Sequence, residues 1–247
     1  MASVTYCVGM QLNRGLVFMS DTRTNSGVDN IAKFRKMFSW SVPGERSIVA
    51  LTAGNLATTQ ATISLLNERT KAPQERAPSI LEAPTMFQVA SMIGATLRDV
   101  IKSNAVTGQS ADTATFSASM IVGGQIAGME PRLFYIYPEG NFIEANDDTP
   151  YFQIGETKYG RPILVRAYDP DMSFEDAIKL LLVSFDSTLK ANLSVGMPLD
   201  LQIYRRDSLD LPPSRRLAAD DPYYQLVSSG WGEALRKAFQ SLPGFPL

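Results

Sequence analysis

The stretch Thr5-Tyr6-Cys7-Val8-Gly9-Met10-Gln11-Leu12-Asn13-Arg14-Gly15-Leu16-Val17-Phe18-Met19-Ser20-Asp21-Thr22-Arg23 is the part of the chain on which the fold turns. Residues 5–12 are β-prone and run into Asn13-Arg14-Gly15, a turn whose glycine can take a positive φ. Residues 16–20 return as a second strand, so the chain opens on a hairpin. A second hairpin is predicted from residues 34–40 and 47–53, joined across Val42-Pro43-Gly44-Glu45.

Helical spacing takes over at Leu56, Ile63 and Leu66, and a longer stripe of Met86, Val89, Ile93, Leu97, Val100 and Ile101 follows. Thr85, with Gln88 three residues on, has the pattern of a capping box at the start of that second helix. Strands are predicted again at 116–123, 132–137, 142–145 and 151–154. The run Gly123-Gly124-Gln125-Ile126-Ala127-Gly128 lacks phosphate-loop spacing and reads as a turn between two of these strands. Helices return at 157–165 and 173–190, where Ser173 and Asp176 can cap and complement the helix dipole. Leu199, Leu201 and Ile203 alternate as a late strand, residues 205–221 read as irregular, and a last amphipathic segment carries Trp231, Leu235, Ala238, Phe239 and Leu242.

Strands, two helices, strands, two helices is the order of an antiparallel α+β protein, not of strand-helix-strand units. The two batches of strands must cover one another's apolar faces and leave the helices outside. One domain over residues 1–204 with an extension over 205–247 is the expected organisation.

Composition narrows the chemistry. The chain has 247 residues and 45% hydrophobic content, with 23 Lys plus Arg against 25 Asp plus Glu for a net charge of −2. That balance gives no electrostatic footprint for nucleic acid or an anionic membrane. No apolar run approaches the roughly 18 residues of a membrane span. The first residues have neither the basic nor the apolar region of a signal peptide, which predicts a cytoplasmic protein. There is no His and a single Cys. Catalysis through Ser-His-Asp or Cys-His, an imidazole metal site and a Cys-cluster metal site are therefore excluded, leaving hydroxyls, carboxylates, Lys or the chain terminus.

Several candidates fail. Asn192-Leu193-Ser194-Val195-Gly196 is one residue from a nucleophile elbow but follows a helix and has no His to serve it. Asp147-Asp148 and Asp220-Asp221 read as solvated loop carboxylates. Arg205-Arg206 and Arg215-Arg216 are too few for a nucleic-acid groove. One nucleophile needs no His: a Thr at the chain terminus, whose own α-amine, with a pKa of about 7.7–8.0, can take the hydroxyl proton. Thr5 is placed for that role once residues 1–4 are gone.

Thr5 through Met10, Gly15 through Arg23, and Phe34-Arg35-Lys36-Met37-Phe38 together resemble the front half of a proteasome β-type subunit. Thr52-Ala53-Gly54-Asn55-Leu56-Ala57 is similar to that family's strand-to-helix turn. Ser20 through Asp29 and the Trp231-Gly232 region resemble, more narrowly, a bacterial proteasome-related branch. The resemblance runs from Thr5 to about Tyr204, and the tail suits only that branch.

It implies a four-layer αββα sandwich of the N-terminal-nucleophile hydrolases and a threonine peptidase that needs no cofactor or metal. Carried over residue by residue, Thr5 is the nucleophile and Asp21 pairs with Lys36, whose charge activates Thr5. The Gly54 N–H faces the developing oxyanion. Thr24, Phe34, Thr52 and Leu56 line the specificity pocket, and Arg23, Asn192 and Ser194 support the site. It further implies identical subunits assembled into a ring or an open spiral around an interior space, the tail serving as subunit contact. Peptides or unfolded proteins would be the substrate, and any ATPase or activator would be a separate chain.

Four departures qualify the pattern. The interval from Thr5 to Lys36 is one residue shorter than the family's. Gly155-Glu156-Thr157 stands where the family has Gly-Ser-Gly, and Asn192 and Ser194 stand where it has Asp and then Ser ahead of a glycine. Four residues precede Thr5 and cap its amine. A catalytically silent structural subunit and a hydrolase of small amides therefore stand beside the peptidase as alternatives.

Overall fold

The computed structural model describes residues 5–25, 31–71, 78–107 and 113–246, so residues 1–4 and 26–29 singled out above lie outside the described residues. In chain order, β1 (Tyr6–Leu12), β2 (Gly15–Asp21), the short pair β3 (Arg23–Asn25) and β4 (Ile31–Lys33), β5 (Met37–Val42) and β6 (Arg46–Gly54) precede α1 (Leu56–Lys71) and α2 (Met86–Thr107). A single 3-10 turn at Thr113–Phe116 leads into β7 (Ala118–Ile126), β8 (Arg132–Ile136), β9 (Phe142–Glu144) and β10 (Tyr151–Gly155). Then come α3 (Arg161–Ala167), α4 (Phe174–Ala191), β11 (Leu199–Arg205), β12 (Arg215–Leu217) and α5 (Pro222–Ser241).

The opening hairpin is β1 on β2, in a register running from Cys7 opposite Ser20 to Leu12 opposite Gly15. Gly15 has φ +143°, and a Cβ there would run into the backbone of Tyr204 and Arg206, so both the turn and the neighbouring strand require glycine. Two five-stranded antiparallel sheets result, ordered β10-β1-β2-β11-β12 and β5-β6-β7-β8-β9. Alternation along the strands sorts the apolar side chains into three layers. Val8, Met10, Val17 and Met19 pack on Leu181 and Phe185 of α4. Cys7, Leu16 and Phe18 face Val49, Leu51, Ile121 and Leu133 across the gap between the sheets. Ile48, Ala50, Val122 and Phe134 cover Met86, Val89 and Ile93 of α2. The architecture is the αββα sandwich expected above.

Gly123 and Gly124, read from sequence as a turn, lie inside β7. Locally they carry a turn signal, but a Cβ on Gly123 would come within 2.8 Å of the Phe18 ring and 2.9 Å of Leu133, and one on Gly124 would strike the Ser47 carbonyl. The glycines let the two sheets and two strands approach closely, a use of strand glycine that overrides the turn reading. Gly9 opposes this patch from the first sheet, its absent Cβ 2.7 Å from Ile121 and 3.1 Å from Leu133. Gly9→Val is expected to overpack the gap and lower the stability measured in urea by about 1–3 kcal/mol, whereas an unchanged midpoint would show that the sheets can separate.

Other boundaries moved. The strand predicted from residue 116 begins at Ala118, because the 3-10 turn closes first. The helix predicted at 157–165 starts only at Arg161, after Gly160 and with Pro162 in its first turn. Ser173 does cap α4, accepting the Asp176 N–H, and Thr85 accepts the Gln88 N–H at 3.2 Å. The stretch after Arg205 is not wholly irregular. β12 adds a fifth strand beside β11, fixed by a two-pronged contact of Arg216 with the buried Asp200 at 2.7 and 2.9 Å. α5 then packs on α4 through Tyr224 and Val227. The Tyr224 hydroxyl donates to Asp186, which also takes the Lys190 ammonium at 2.8 Å. Among the described residues no helix is long and apolar enough to cross a membrane.

Candidate active site

One end of the sandwich gathers most of the residues singled out from sequence. Thr5 stands immediately before β1 and is 5% exposed. Its carbonyl accepts the Glu156 N–H at 2.7 Å, which ties the start of β1 to the end of β10. Gly155, just before Glu156, has φ +86°, and a side chain there would collide with the Thr5 carbonyl, so the close approach depends on glycine.

Asp21 ends β2 with its carboxylate fully buried. One oxygen, Oδ1, accepts the Tyr6 N–H at 3.1 Å and the Lys36 ammonium at 2.7 Å, while Oδ2 accepts the Gly196 N–H at 3.2 Å. Lys36 lies in the connection just ahead of β5, not within the strand. Its carbonyl nevertheless extends the β5–β6 ladder by accepting the Thr52 N–H at 2.9 Å, so strand register fixes its backbone. The ammonium also donates to the Arg23 carbonyl at 2.5 Å. A charge this deeply buried needs such partners, since an unpaired one is strongly unfavourable.

Burial pushes the Asp21 carboxyl above the usual carboxylate range, and the Lys36 ammonium and the N–H groups of Tyr6 and Gly196 pull against it. Burial, reinforced by the Asp21 charge, likewise raises the Cys7 thiol. Cys7 is thereby kept as an inert thiol whose Sγ lies 3.7 Å from the Thr52 carbonyl.

Gly54 terminates β6 with φ +115°, a conformation that turns the chain out of the sheet into α1. A Cβ there would sit 2.5 Å from the Ser117 carbonyl and from Ala118 Cα. Asn55 follows and caps α1, its side chain accepting the Thr58 N–H at 3.0 Å. Thr52 is buried, its hydroxyl 3.5 Å from the Lys36 carbonyl. Thr24, Phe34 and Leu56 are half-buried, and the Phe34 N–H donates to Thr22 O at 2.9 Å.

Two of the three supporting residues come from the far end of the sequence. Arg23 donates to the Leu193 carbonyl at 2.7 Å, and a Cβ on Gly196 would overlap its guanidinium, so that side chain lies flat against the loop after α4. Asn192 closes α4. Its Nδ2 donates to Glu156 Oε2 at 2.9 Å, and its Oδ1 accepts the Ser194 N–H at 3.0 Å. Glu156 and Gly196 are the parts that sequence reading did not assign to the site. Glu156 departs from the family pattern and Gly196 ends the failed elbow, and only the fold brings them to Thr5 and Asp21. Among the described residues no cluster of His, Cys, Asp and Glu could hold a metal ion.

The arrangement places a buried ammonium-carboxylate pair against the backbone of the residue that follows Thr5, with a strained glycine turn at the adjacent strand end. The chain belongs to the proteasome family, whose subunit model matches residues 1–202. Several solved structures are similar to it. It is 46% identical to Anbu (ancestral beta-subunit) from Yersinia bercovieri, with a TM-score of 0.91 over 98% of this chain and 100% of that one. It is 51% identical to an Anbu (Gly-1) mutant from Hyphomicrobium sp. strain MC1, with a TM-score of 0.89 over 98% and 100%. A helical assembly of the Anbu complex from Pseudomonas aeruginosa matches at 46% identity and a TM-score of 0.89, over 98% of each chain. No protein with a curated description matches.

Proposed function

We propose that the chain is a threonine peptidase whose nucleophile is the Thr5 hydroxyl and whose base is the Thr5 α-amine, freed by loss of residues 1–4. The observation that carries this reading is the sharing of Asp21 Oδ1 between the Tyr6 N–H and the Lys36 ammonium, which holds a buried positive charge against the Thr5–Tyr6 backbone. A cation there favours negative charge developing on Thr5 Oγ. As Oγ attacks the peptide carbonyl, its proton passes to the amine and the C=O electron pair moves onto oxygen, toward the Gly54 N–H. Collapse restores the carbonyl and breaks the C–N bond. The leaving amine takes the proton, and an ester remains on Thr5. Water then attacks that ester with the amine again as base, releasing the acid and restoring Thr5. Thr24, Phe34, Thr52 and Leu56 would shape the pocket for the substrate side chain, with Arg23, Asn192 and Ser194 in support.

Two measurements on the purified protein test this together. Intact mass is expected to lack residues 1–4, and peptide libraries are expected to be cleaved. Full-length mass without turnover would overturn the reading in favour of a silent structural subunit, the alternative that the four preceding residues support. Turnover confined to small non-peptide amides would reassign the same nucleophile to an amidohydrolase. We place the activity in the cytoplasm.

We propose also that the chain self-associates through α5. Its anchor on α4 is buried, but Phe239 is 77% exposed, and Leu235 and Leu242 lie bare on the same face toward the end of the helix. Such an apolar stripe calls for a partner, and the helical assembly formed by the Pseudomonas aeruginosa neighbour offers a second copy as that partner. Glu at both Leu235 and Phe239 is expected to shift sedimentation from an assembled species toward the monomer, with Tm changed little because neither side chain is in the core. Unchanged sedimentation would remove α5 from the interface.

A further inference from the structure

We propose that Glu156 is a positioning residue for the site, its carboxylate receiving the freed Thr5 α-amine while Asn192 holds that carboxylate in place. The inference rests on the reading of Thr5 as the nucleophile and assigns the group that orients its base. The Glu156 N–H to Thr5 carbonyl bond of 2.7 Å makes the two residues direct neighbours across the end of the sheet, and the positive φ of Gly155 builds the turn that delivers Glu156 there. The carboxylate is then fixed from a third element. Oε2 accepts Asn192 Nδ2 at 2.9 Å, and Asn192 is itself fixed by its place at the end of α4 and by the Ser194 N–H on its Oδ1. Among the described residues Oε1 has only the Lys158 ammonium at 3.7 Å, on a side chain 67% exposed, and remains able to accept a closer donor.

A primary amine that is to deprotonate a hydroxyl on its own residue must aim its lone pair at that hydroxyl. A carboxylate accepting one of its N–H groups fixes the rotation and leaves the lone pair for Oγ–H. The surrounding charges act in opposition. Lys36 disfavours the protonated amine, Glu156 favours it, and Asp21 is engaged with Lys36, Tyr6 and Gly196. The Arg23 guanidinium is turned to the Leu193 carbonyl, and Lys158 faces Glu156 itself. On α4, Lys190 is paired with Asp186, and the Tyr6 hydroxyl is engaged by Ser184 and Gln153. Glu156 is thus the carboxylate placed to raise the pKa of the amine.

The test uses the chain released from a cleavable fusion so that Thr5 is its first residue, a change that removes no described strand or helix. The α-amine is titrated by competitive acetylation, the Thr5 peptide being followed by mass spectrometry from neutral to alkaline pH. Glu156→Gln keeps an oxygen acceptor for Asn192 and removes the charge. It is expected to lower the amine pKa by about one unit, and Glu156→Asp to restore most of that shift. In peptide hydrolysis the acid limb of kcat/KM should move to lower pH by the same amount in Glu156→Gln, with kcat reduced and KM little changed. An amine pKa identical in the parent and Glu156→Gln would overturn the assignment. Because the titration needs no turnover, a chain that cleaves nothing would defeat the peptidase reading while leaving this measurement standing.

Discussion

Thr5→Ala is expected to abolish peptide cleavage, by about 10⁴-fold or more in kcat/KM, while leaving the fold intact. Loss of a covalent nucleophile removes the whole two-step pathway and not one contribution to it, which is why such substitutions lie at the extreme of measured effects. The fold has little reason to notice. The carbonyl of Thr5 still accepts the Glu156 N–H, the ion pair of Asp21 and Lys36 uses neither atom that is lost, and the change in stability should stay within about 1 kcal/mol. Thr5→Ser, which keeps a hydroxyl and an amine on one residue, should retain measurable cleavage. If the release of residues 1–4 is autocatalytic, the alanine variant should also keep its full mass. Cleavage by Thr5→Ala at the parental rate would place the chemistry elsewhere in the molecule.

Lys36→Ala should damage both activity and stability, and the two losses can be separated. With the ammonium gone, the Asp21 carboxylate keeps its N–H bonds from Tyr6 and Gly196 but loses its charge partner in a fully buried site. Breaking such a pair costs about 3–5 kcal/mol. The sign of the pH dependence follows from the direction in which burial already moves Asp21. A carboxyl raised in the folded state holds a proton that the unfolded chain has lost, so the variant is least stable at neutral pH. It should gain stability on acidification through the raised pKa, levelling off near the ordinary carboxylate value of about 3.9. Parent and variant unfolded in urea at several pH values should therefore converge toward acid. The double change Lys36→Met with Asp21→Asn removes both charges and should recover much of the stability, yet no activity. Recovery of cleavage in that double variant would show that the ammonium has no part in the reaction.

How much of this was readable in the chain depends on the range of the contact that fixes each feature. The opening hairpin, the two long helices and their caps are written in alternation, 3.6-residue spacing and side chains only three residues apart, as at Ser173 and Asp176. The roles of Asp21, Lys36 and Gly54 could be expected because they occur in order beside Thr5 in a family-like stretch. Gly123 and Gly124 mislead because the local meaning of a glycine pair is a turn, while its meaning here is set by Phe18 and Ser47 on strands far away in sequence. β12 has three residues, Arg215-Arg216-Leu217, too short for any period, and exists because Asp200 anchors Arg216 from the neighbouring strand. β3 and β4, of three residues each, are likewise too short for any period. Gly196 and Glu156 could not be assigned at all from spacing, since their partners Asp21 and Thr5 lie on the first hairpin and meet them only when the sheet closes.

The central claim is that one residue supplies both a nucleophilic hydroxyl and a free amine beside the Lys36 ammonium. A peptide epoxyketone reports on that directly, because it forms a ring with an oxygen and a nitrogen of the same residue. After incubation with such a probe, proteolytic mapping by mass spectrometry should find the adduct on Thr5 in a chain that begins at Thr5, and none in Thr5→Ala or Lys36→Ala. A protein that stays unmodified with its Thr5 amine demonstrably free, or one labelled at another residue, would contradict the account.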